Sequence, residues 1–263
     1  MKLFDARRWA PVRMQFRVLS ALVAREGLAK YGHDNLGFFW VMGEPLVFAG
    51  AVMALWTIIK HNHMEEVGLV LFVLTGYCAI TLWRHLINQS VHALRRRSGL
   101  LYHANVKPLD ILLAICVLET LGIFTAFMIA YIPLALFEVV HPIYDPLNLV
   151  GGFMLLGWFG SGFNLCLAAL SERYEIIEKF AQATMYVTLP LTGVFTMVDW
   201  LPQAVQNVML YSPMVNALEM FRSGVMPPEV VTKFSVPYLI GCCLAMSALG
   251  LLLMRDVKKH IGT

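Results

Sequence analysis

The charged residues of this chain lie almost entirely between six long apolar runs, and this arrangement constrains the fold more than any other feature. The runs together contain only two charged residues, Glu44 and Glu119. Each run is about long enough to cross the roughly 30 Å hydrocarbon core of a bilayer as a helix. We therefore expect an all-α integral membrane protein with six transmembrane helices, over Leu36–Ile59, Val67–Trp83, Ile111–Phe137, Leu147–Leu170, Phe180–Val198 and Phe234–Met254.

Lysine and arginine are divided unequally between the two sets of connecting segments. If both termini face the cytoplasm, the inner segments hold 17 of these residues and the outer segments hold three, Lys60, Arg222 and Lys233. Cytoplasmic segments of membrane proteins carry such an excess, so both termini are predicted to be cytoplasmic. The predicted parts are an N-terminal interface region at 1–35, a transmembrane domain at 36–254 and a cytoplasmic tail at 255–263.

The composition and the missing motifs narrow the function. Charged residues make up 14% of the chain, against about 25% in soluble domains, so a water-soluble fold is disfavoured. The sequence contains no GxxxxGK[ST], GxSxG or HExxH pattern, so we expect neither bound ATP nor a catalytic site of those types. His61-Asn62-His63, followed by two glutamates, is interpreted as a solvated outer turn, and we predict no metal site and no bound cofactor.

Residues 1–35 are polar and basic, and their middle part has the periodicity of an amphipathic helix. Phe16, Leu19, Leu22 and Val23 fall on one face, and arginines fall on another. This pattern favours a helix lying in the membrane interface, with a solvated basic tail as the alternative.

The inner loop at 84–107 contains five basic residues. In helical projection Arg84, Asn88, His92 and Arg95 share a face. The loop is interpreted either as a positive-inside anchor or as a cytoplasmic helix that docks a partner.

The outer segment at 199–233 contains two short helical patterns, Leu201–Leu210 and Val215–Ser223. Neither could span a bilayer, and both are too apolar for an ordinary exposed loop. A helical hairpin that re-enters the outer leaflet explains both properties.

Glu119 is an acid inside an apolar run, which makes it a candidate functional residue. It could face a polar cavity, bond to a neighbouring helix or lie near the inner interface. The many aromatic residues could stack on sugar rings, or could simply lie at the membrane interfaces.

Three stretches resemble the ABC-2 type permeases, and the middle one is specific to permeases of capsular polysaccharide export. They are Arg25-Glu26…Lys30-Tyr31-Gly32…Leu36-Gly37-Phe38-Phe39-Trp40…Glu44-Pro45, Leu101-Tyr102…Val106-Lys107-Pro108-Leu109-Asp110…Leu118-Glu119-Thr120, and Ser212-Pro213-Met214-Val215…Glu219…Arg222…Val225-Met226-Pro227. The likeness covers nearly the whole chain. It implies the ABC-2 (type V exporter) fold in a Gram-negative inner membrane.

The resemblance also implies partners. These are a second copy of the chain, a cytoplasmic ABC ATPase dimer that binds ATP and Mg, a periplasmic co-polymerase or adaptor, an outer-membrane channel and a lipid-linked, acidic polysaccharide. Nucleic acid is not expected. The interface helix and the stretch Arg84–Arg97 would then meet the ATPase, and the outer hairpin would close the exit.

Residue roles follow as hypotheses. Substrate recruitment at the cytoplasmic mouth is assigned to cations, namely Arg84, Arg95, Arg96, Arg97 and Lys107. A canal or gate is assigned to Glu119, Trp56, Tyr186, Phe195, Trp200, Tyr211 and Arg222. Coupling to the ATPase is assigned to Arg25, Glu26, Tyr31, His85, Asn88 and His92.

Three alternatives remain open. The chain could export O-antigen or another polyprenol-linked glycan. It could be an intramembrane lipid-modifying enzyme that uses Glu119 and nearby histidines, or a membrane scaffold without catalytic function.

Overall fold

The computed structural model describes residues 2–31, 47, 68–101, 106–174, 176–188, 192–255 and 257. Every regular element in this part of the chain is helical. In chain order the α-helices are α1 (Lys2–Tyr31), α2 (Leu69–Ser90), α3 (Ala93–Arg96), α4 (Ser98–Leu101), α5 (Pro108–Leu136), α6 (Pro146–Ser171), α7 (Ile176–Thr188), α8 (Gln203–Met209), α9 (Pro213–Ser223) and α10 (Val236–Met254). A 3-10 helix covers Val198–Trp200.

Four of the described helices, α2, α5, α6 and α10, are long and apolar enough to cross a membrane. They correspond to the second, third, fourth and sixth apolar runs of the sequence. The ends of α5, α6 and α10 lie within three residues of the predicted ends. The first run, with Glu44 and Pro45, lies outside the described residues.

The fifth run differs from the prediction. It is helical over Ile176–Thr188, and the described chain from 192 to 197 forms turns before the 3-10 helix. Gly193 adopts a φ of 71°, a left-handed conformation that interrupts a right-handed helix. A continuous span over Phe180–Val198 was therefore the wrong expectation for the outer part of this run.

Helix α6 lies at the centre of the bundle and contacts α2, α5, α9 and α10. Its glycines permit this, because a Cβ atom at Gly152 would lie 2.4 Å from the backbone nitrogen of Phe221. A Cβ atom at Gly157 would lie 2.4 Å from the side chain of Thr120. Small residues at these positions let the neighbouring helices approach closely.

Helix α1 packs along the first half of α5. Leu22 is buried, and Leu19 and Val23 are partly buried against a cluster that includes Ile111 and Leu112. The predicted apolar face is therefore present. Phe16 departs from it, since 72% of its surface is exposed.

The inner loop is not one helix. Helix α2 continues past Trp83 to Ser90, His92 adopts a left-handed conformation with φ 49°, and the chain turns again into α3. Arg84 and Asn88 therefore lie on α2, whereas Arg95 lies on α3 beyond the break. The expected single face from Arg84 to Arg95 is wrong, because helical projection assumes an unbroken axis.

Candidate functional site

A buried carboxylate joins three helices at the end of the bundle where the basic inner loop lies. The side chain of Glu119, on α5, is 2% exposed. The ammonium group of Lys30, on α1, donates hydrogen bonds of 2.7 Å to both carboxylate oxygens. The Nδ1 atom of His85, on α2, lies 2.8 Å from Oε2 of the same carboxylate. Of the three possibilities that the sequence left open for Glu119, bonding to neighbouring helices is realised.

A second ion pair lies beside this carboxylate. The Nε and Nη2 atoms of Arg97 donate to Oε2 of Glu26 at 3.0 and 2.8 Å, and Nη2 also approaches the side-chain oxygen of Gln89 at 3.3 Å. Glu26 and Lys30 are four residues apart on α1, so they lie on one face of that helix. These side chains line a pocket of about 200 Å³ together with Glu119. We call Glu26, Lys30, His85, Arg97 and Glu119 the inner polar cluster.

Two further arginines of the loop hold the loop itself in place. Arg95 donates from Nε to Oε2 of Glu172 at 3.1 Å. Arg96 donates to the carbonyl oxygens of Asn88, Gln89 and Val91, at 3.2, 3.3 and 2.7 Å, and so caps the last turn of α2. Partial burial, with the charge of Arg97, lowers the pKa of Arg96.

Arg84 and Lys107 differ from the other three cations that the sequence assigned to substrate recruitment. Both are exposed, and neither forms an ion pair within the part of the chain that the structure describes. Their charges are therefore available to an anionic ligand. The charges of Arg95 and Arg97 are already compensated by glutamates.

The residues assigned to ATPase coupling are divided between surface and interior. Arg25 is exposed and lies 3.4 Å from Glu26, and Asn88 is exposed. His85 belongs to the inner polar cluster, while Nε2 of His92 lies 3.3 Å from Oε2 of Glu178. The side chain of Tyr31 lies outside the described residues.

At the other end of the bundle, Arg222 of α9 is completely buried. It donates to the carbonyl oxygens of Gly193, Val194 and Thr196 at 2.8, 3.0 and 3.3 Å, and its guanidinium lies 4.2 Å from the ring centre of Phe72. Its guanidinium has no exposed surface in this structure, and its assignment to a canal or gate stays a prediction. Arg222 ties α9 to the turn at 193–196, within the outer part of the fifth run.

Polar side chains complete this outer network. Glu219, one turn before Arg222, accepts hydrogen bonds from the backbone nitrogens of Val198 and Lys233 at 3.4 and 3.1 Å. The ammonium of Lys233 lies 2.7 Å from Oδ1 of Asp199. The two short helices that the sequence predicts are present as α8 and α9, and this network fixes α9 to the segments on either side.

The aromatic residues assigned to the canal have different environments. Trp200 is partly buried and packs against Phe72 of the core, with ring centres 5.2 Å apart. Phe195 and Tyr211 are 60% and 75% exposed. Trp56 and the side chain of Tyr186 lie outside the described residues.

Sequence reasoning did not assign a role to Lys30, Gln89 or Glu172. The spacing of Glu26 and Lys30 on one helix face was the available signal, because opposite charges four residues apart indicate a shared surface. Which distant residue each of them binds depends on how α1 crosses α5, and that crossing is a tertiary property.

Comparison with known proteins identifies the class of protein to which this chain belongs. The sequence pattern of the ABC-2 type transporter family matches residues 17–226, so this chain belongs to that family of membrane transport proteins.

Individual relatives cover almost the whole chain. It is 30% identical over 248 residues to the capsule polysaccharide export inner-membrane protein BexB of Haemophilus influenzae, with 94% of each chain covered. It is 30% identical over 253 residues to the capsule polysaccharide export inner-membrane protein CtrC of Neisseria meningitidis serogroup B, with 96% of each covered. It is 24% identical over 245 residues to the polysialic acid transport protein KpsM of Escherichia coli, with 93% of this chain and 95% of that protein covered.

Proposed function

We propose that this chain is the transmembrane permease subunit of an ATP-driven exporter of lipid-linked, acidic capsular polysaccharide in a Gram-negative inner membrane. The observation that carries the proposal is its similarity, at nearly full length, to relatives named for capsule polysaccharide export or polysialic acid transport. The ATP-binding subunits are separate chains in this proposal, in keeping with the missing Walker-type motif.

Two copies of the chain form the transport path, and both termini face the cytoplasm. An ATPase dimer contacts the interface helix α1 and the inner loop, and closure of that dimer on ATP moves both elements. The basic excess of the inner segments supports this orientation. A periplasmic adaptor and an outer-membrane channel continue the path beyond the inner membrane.

Exposed cations recruit the acidic substrate at the cytoplasmic mouth. Arg84 and Lys107 have this role, because their charges are exposed and are not paired within the described residues. Electrostatic recruitment of this kind raises the local concentration of an anionic ligand without tight binding. A moving polymer requires such weak contacts, since each must be released.

The outer hairpin closes the periplasmic side of the path. Glu219, Arg222 and Lys233 hold α9 against its neighbours, which supports a stable cover. Exposed aromatic rings at Phe195 and Tyr211 offer surfaces on which sugar rings can slide.

The test uses a strain that lacks this chain and therefore lacks surface capsule. We expect the wild-type chain to restore capsule, and Arg84→Ala/Lys107→Ala to restore much less while inserting normally. Lys179→Ala/Arg255→Ala is the matched control, since it removes two exposed charges that have no assigned role.

Two outcomes count against the proposal. Failure of the wild-type chain to restore capsule would contradict the assigned substrate, and restoration of O-antigen instead would favour the alternative permease. Normal capsule with Arg84→Ala/Lys107→Ala would contradict the recruitment step alone.

A further inference from the structure

The two halves of α1 are held to the rest of the protein by different forces. In its middle, Leu19, Leu22 and Val23 pack into an apolar cluster at the start of α5. Near its end, Leu28 is 71% exposed, and Gly27 only approaches Leu118. Apolar packing therefore positions the middle of α1 and contributes little at its last turn.

Near its end, α1 is held to the rest of the protein by ion pairs instead. Glu26 binds Arg97 of the inner loop, and Lys30, one turn further on, binds Glu119 of α5. Helix α1 supplies the acid of the first ion pair and the base of the second. Neither cation can therefore take the place of the other without disturbing both pairs. The end of α1 is thus bound at once to the loop and to a membrane-spanning helix.

Glu119 is the more deeply buried of the two acids, since its side chain is 2% exposed and that of Glu26 is 11% exposed. If α1 moved away from α5, Glu119 would keep His85 but would lose its contact with Lys30. Separating a buried charge from its partner is strongly unfavourable. Movement of the end of α1 must therefore carry this part of α5 with it.

We propose that Lys30 and Glu119 are positioning residues, whose ion pair transmits ATP-driven movement of α1 to the membrane-spanning helix α5. This inference rests on the proposed function, because it requires an ATPase that acts on α1. In the proposed function the ATP sites lie on separate chains, away from this pair. Its loss should therefore uncouple hydrolysis from export and should leave hydrolysis itself intact.

The test measures export of lipid-linked acidic polysaccharide per ATP hydrolysed, with the full chain and its ATPase reconstituted in vesicles. For Lys30→Met we expect this ratio to fall at least about fivefold, the lower range of typical coupling between sites. Basal hydrolysis should stay close to that of the wild type. Lys30→Arg should restore the ratio, because it keeps the cation, and Lys179→Met, at an exposed lysine of α7 with no assigned role, is the control.

A second variant distinguishes loss of coupling from misfolding of the single variant. Lys30→Met/Glu119→Gln leaves no unpaired buried carboxylate, so it should insert well even if the single variant does not. It should be as poorly coupled as Lys30→Met, because two changes to one interaction are not additive. A wild-type ratio in this double variant would overturn the inference. A wild-type complex that forms but exports none of this polymer would overturn the proposed function instead.

Discussion

The inner polar cluster and the outer hairpin each contain a buried acid and a base, but they are built differently. In the inner cluster, side chains from α1, α2, α5 and the loop bind one another across long sequence separations, beside a pocket of about 200 Å³. In the outer hairpin, the fully buried Arg222 binds three backbone carbonyls of one turn. One region connects separate elements, and the other stabilises a local structure.

This difference determines how each end of the helix bundle can move. Ion pairs between side chains on separate helices transmit the displacement of one helix to the other, because separating a buried charge from its partner is unfavourable. Hydrogen bonds from one planar guanidinium to several carbonyls need one fixed geometry. We therefore expect the inner cluster to act as a joint between elements, and the hairpin to move as one piece.

The largest effect on stability should come from Arg222→Met. The change removes the donor from three carbonyls and leaves Glu219 buried without the nearby cation, which lies 3.8 Å away. Removing one member of a buried pair costs about 3–5 kcal/mol. The thermal midpoint of the detergent-solubilised protein should fall accordingly.

Two further variants make this experiment more specific. Arg222→Lys should recover little, because one ammonium group cannot reach three carbonyls in the same geometry. Arg222→Met/Glu219→Gln should recover part of the loss. An unchanged midpoint in Arg222→Met would contradict the fixed hairpin.

A smaller effect is expected from Arg97→Met in the inner cluster. The ion pair between Arg97 and Glu26 is partly exposed, with 14% of the Arg97 side chain and 11% of the Glu26 side chain accessible. Loss of a charged hydrogen bond typically costs about 1.5–3 kcal/mol. The same thermal measurement should show a shift smaller than that of Arg222→Met, and Arg97→Lys should be close to wild type. If Arg97→Met were the more damaging of the two, the inner cluster would be the rigid region.

The smallest effect on stability is expected from Arg95→Ala. The Arg95 side chain is 55% exposed, so solvent screens its charge, and the buried Glu172 carboxylate keeps a hydrogen bond of 3.3 Å from the backbone nitrogen of residue 95 when the side chain is removed. Such pairs contribute about 0.2–1 kcal/mol, and less at high salt. Thermal midpoints at low and high salt should differ less for Arg95→Ala than for the wild type. A large, salt-independent loss would show that the loop depends on this pair.

The sequence predicts four of the apolar spans and the two short helices α8 and α9 well, because apolar run length and helix-breaking Ser212-Pro213 act locally. It also identifies Glu119 as a candidate functional residue, since an acid in an apolar run needs a partner. It could not predict that this partner is Lys30, which is 89 residues away. Nor could it predict the break at His92, where a non-glycine residue takes a left-handed conformation that local preference disfavours.

The most direct test of the account is transport by the purified wild-type chain with its ATPase, reconstituted in vesicles with lipid-linked acidic polysaccharide. The account predicts a stable complex whose ATP hydrolysis changes with this substrate and which moves the polymer across the bilayer in an ATP-dependent manner. A complex that forms, hydrolyses ATP and ignores every acidic glycolipid supplied would contradict the assignment of an acidic capsular polysaccharide as the substrate.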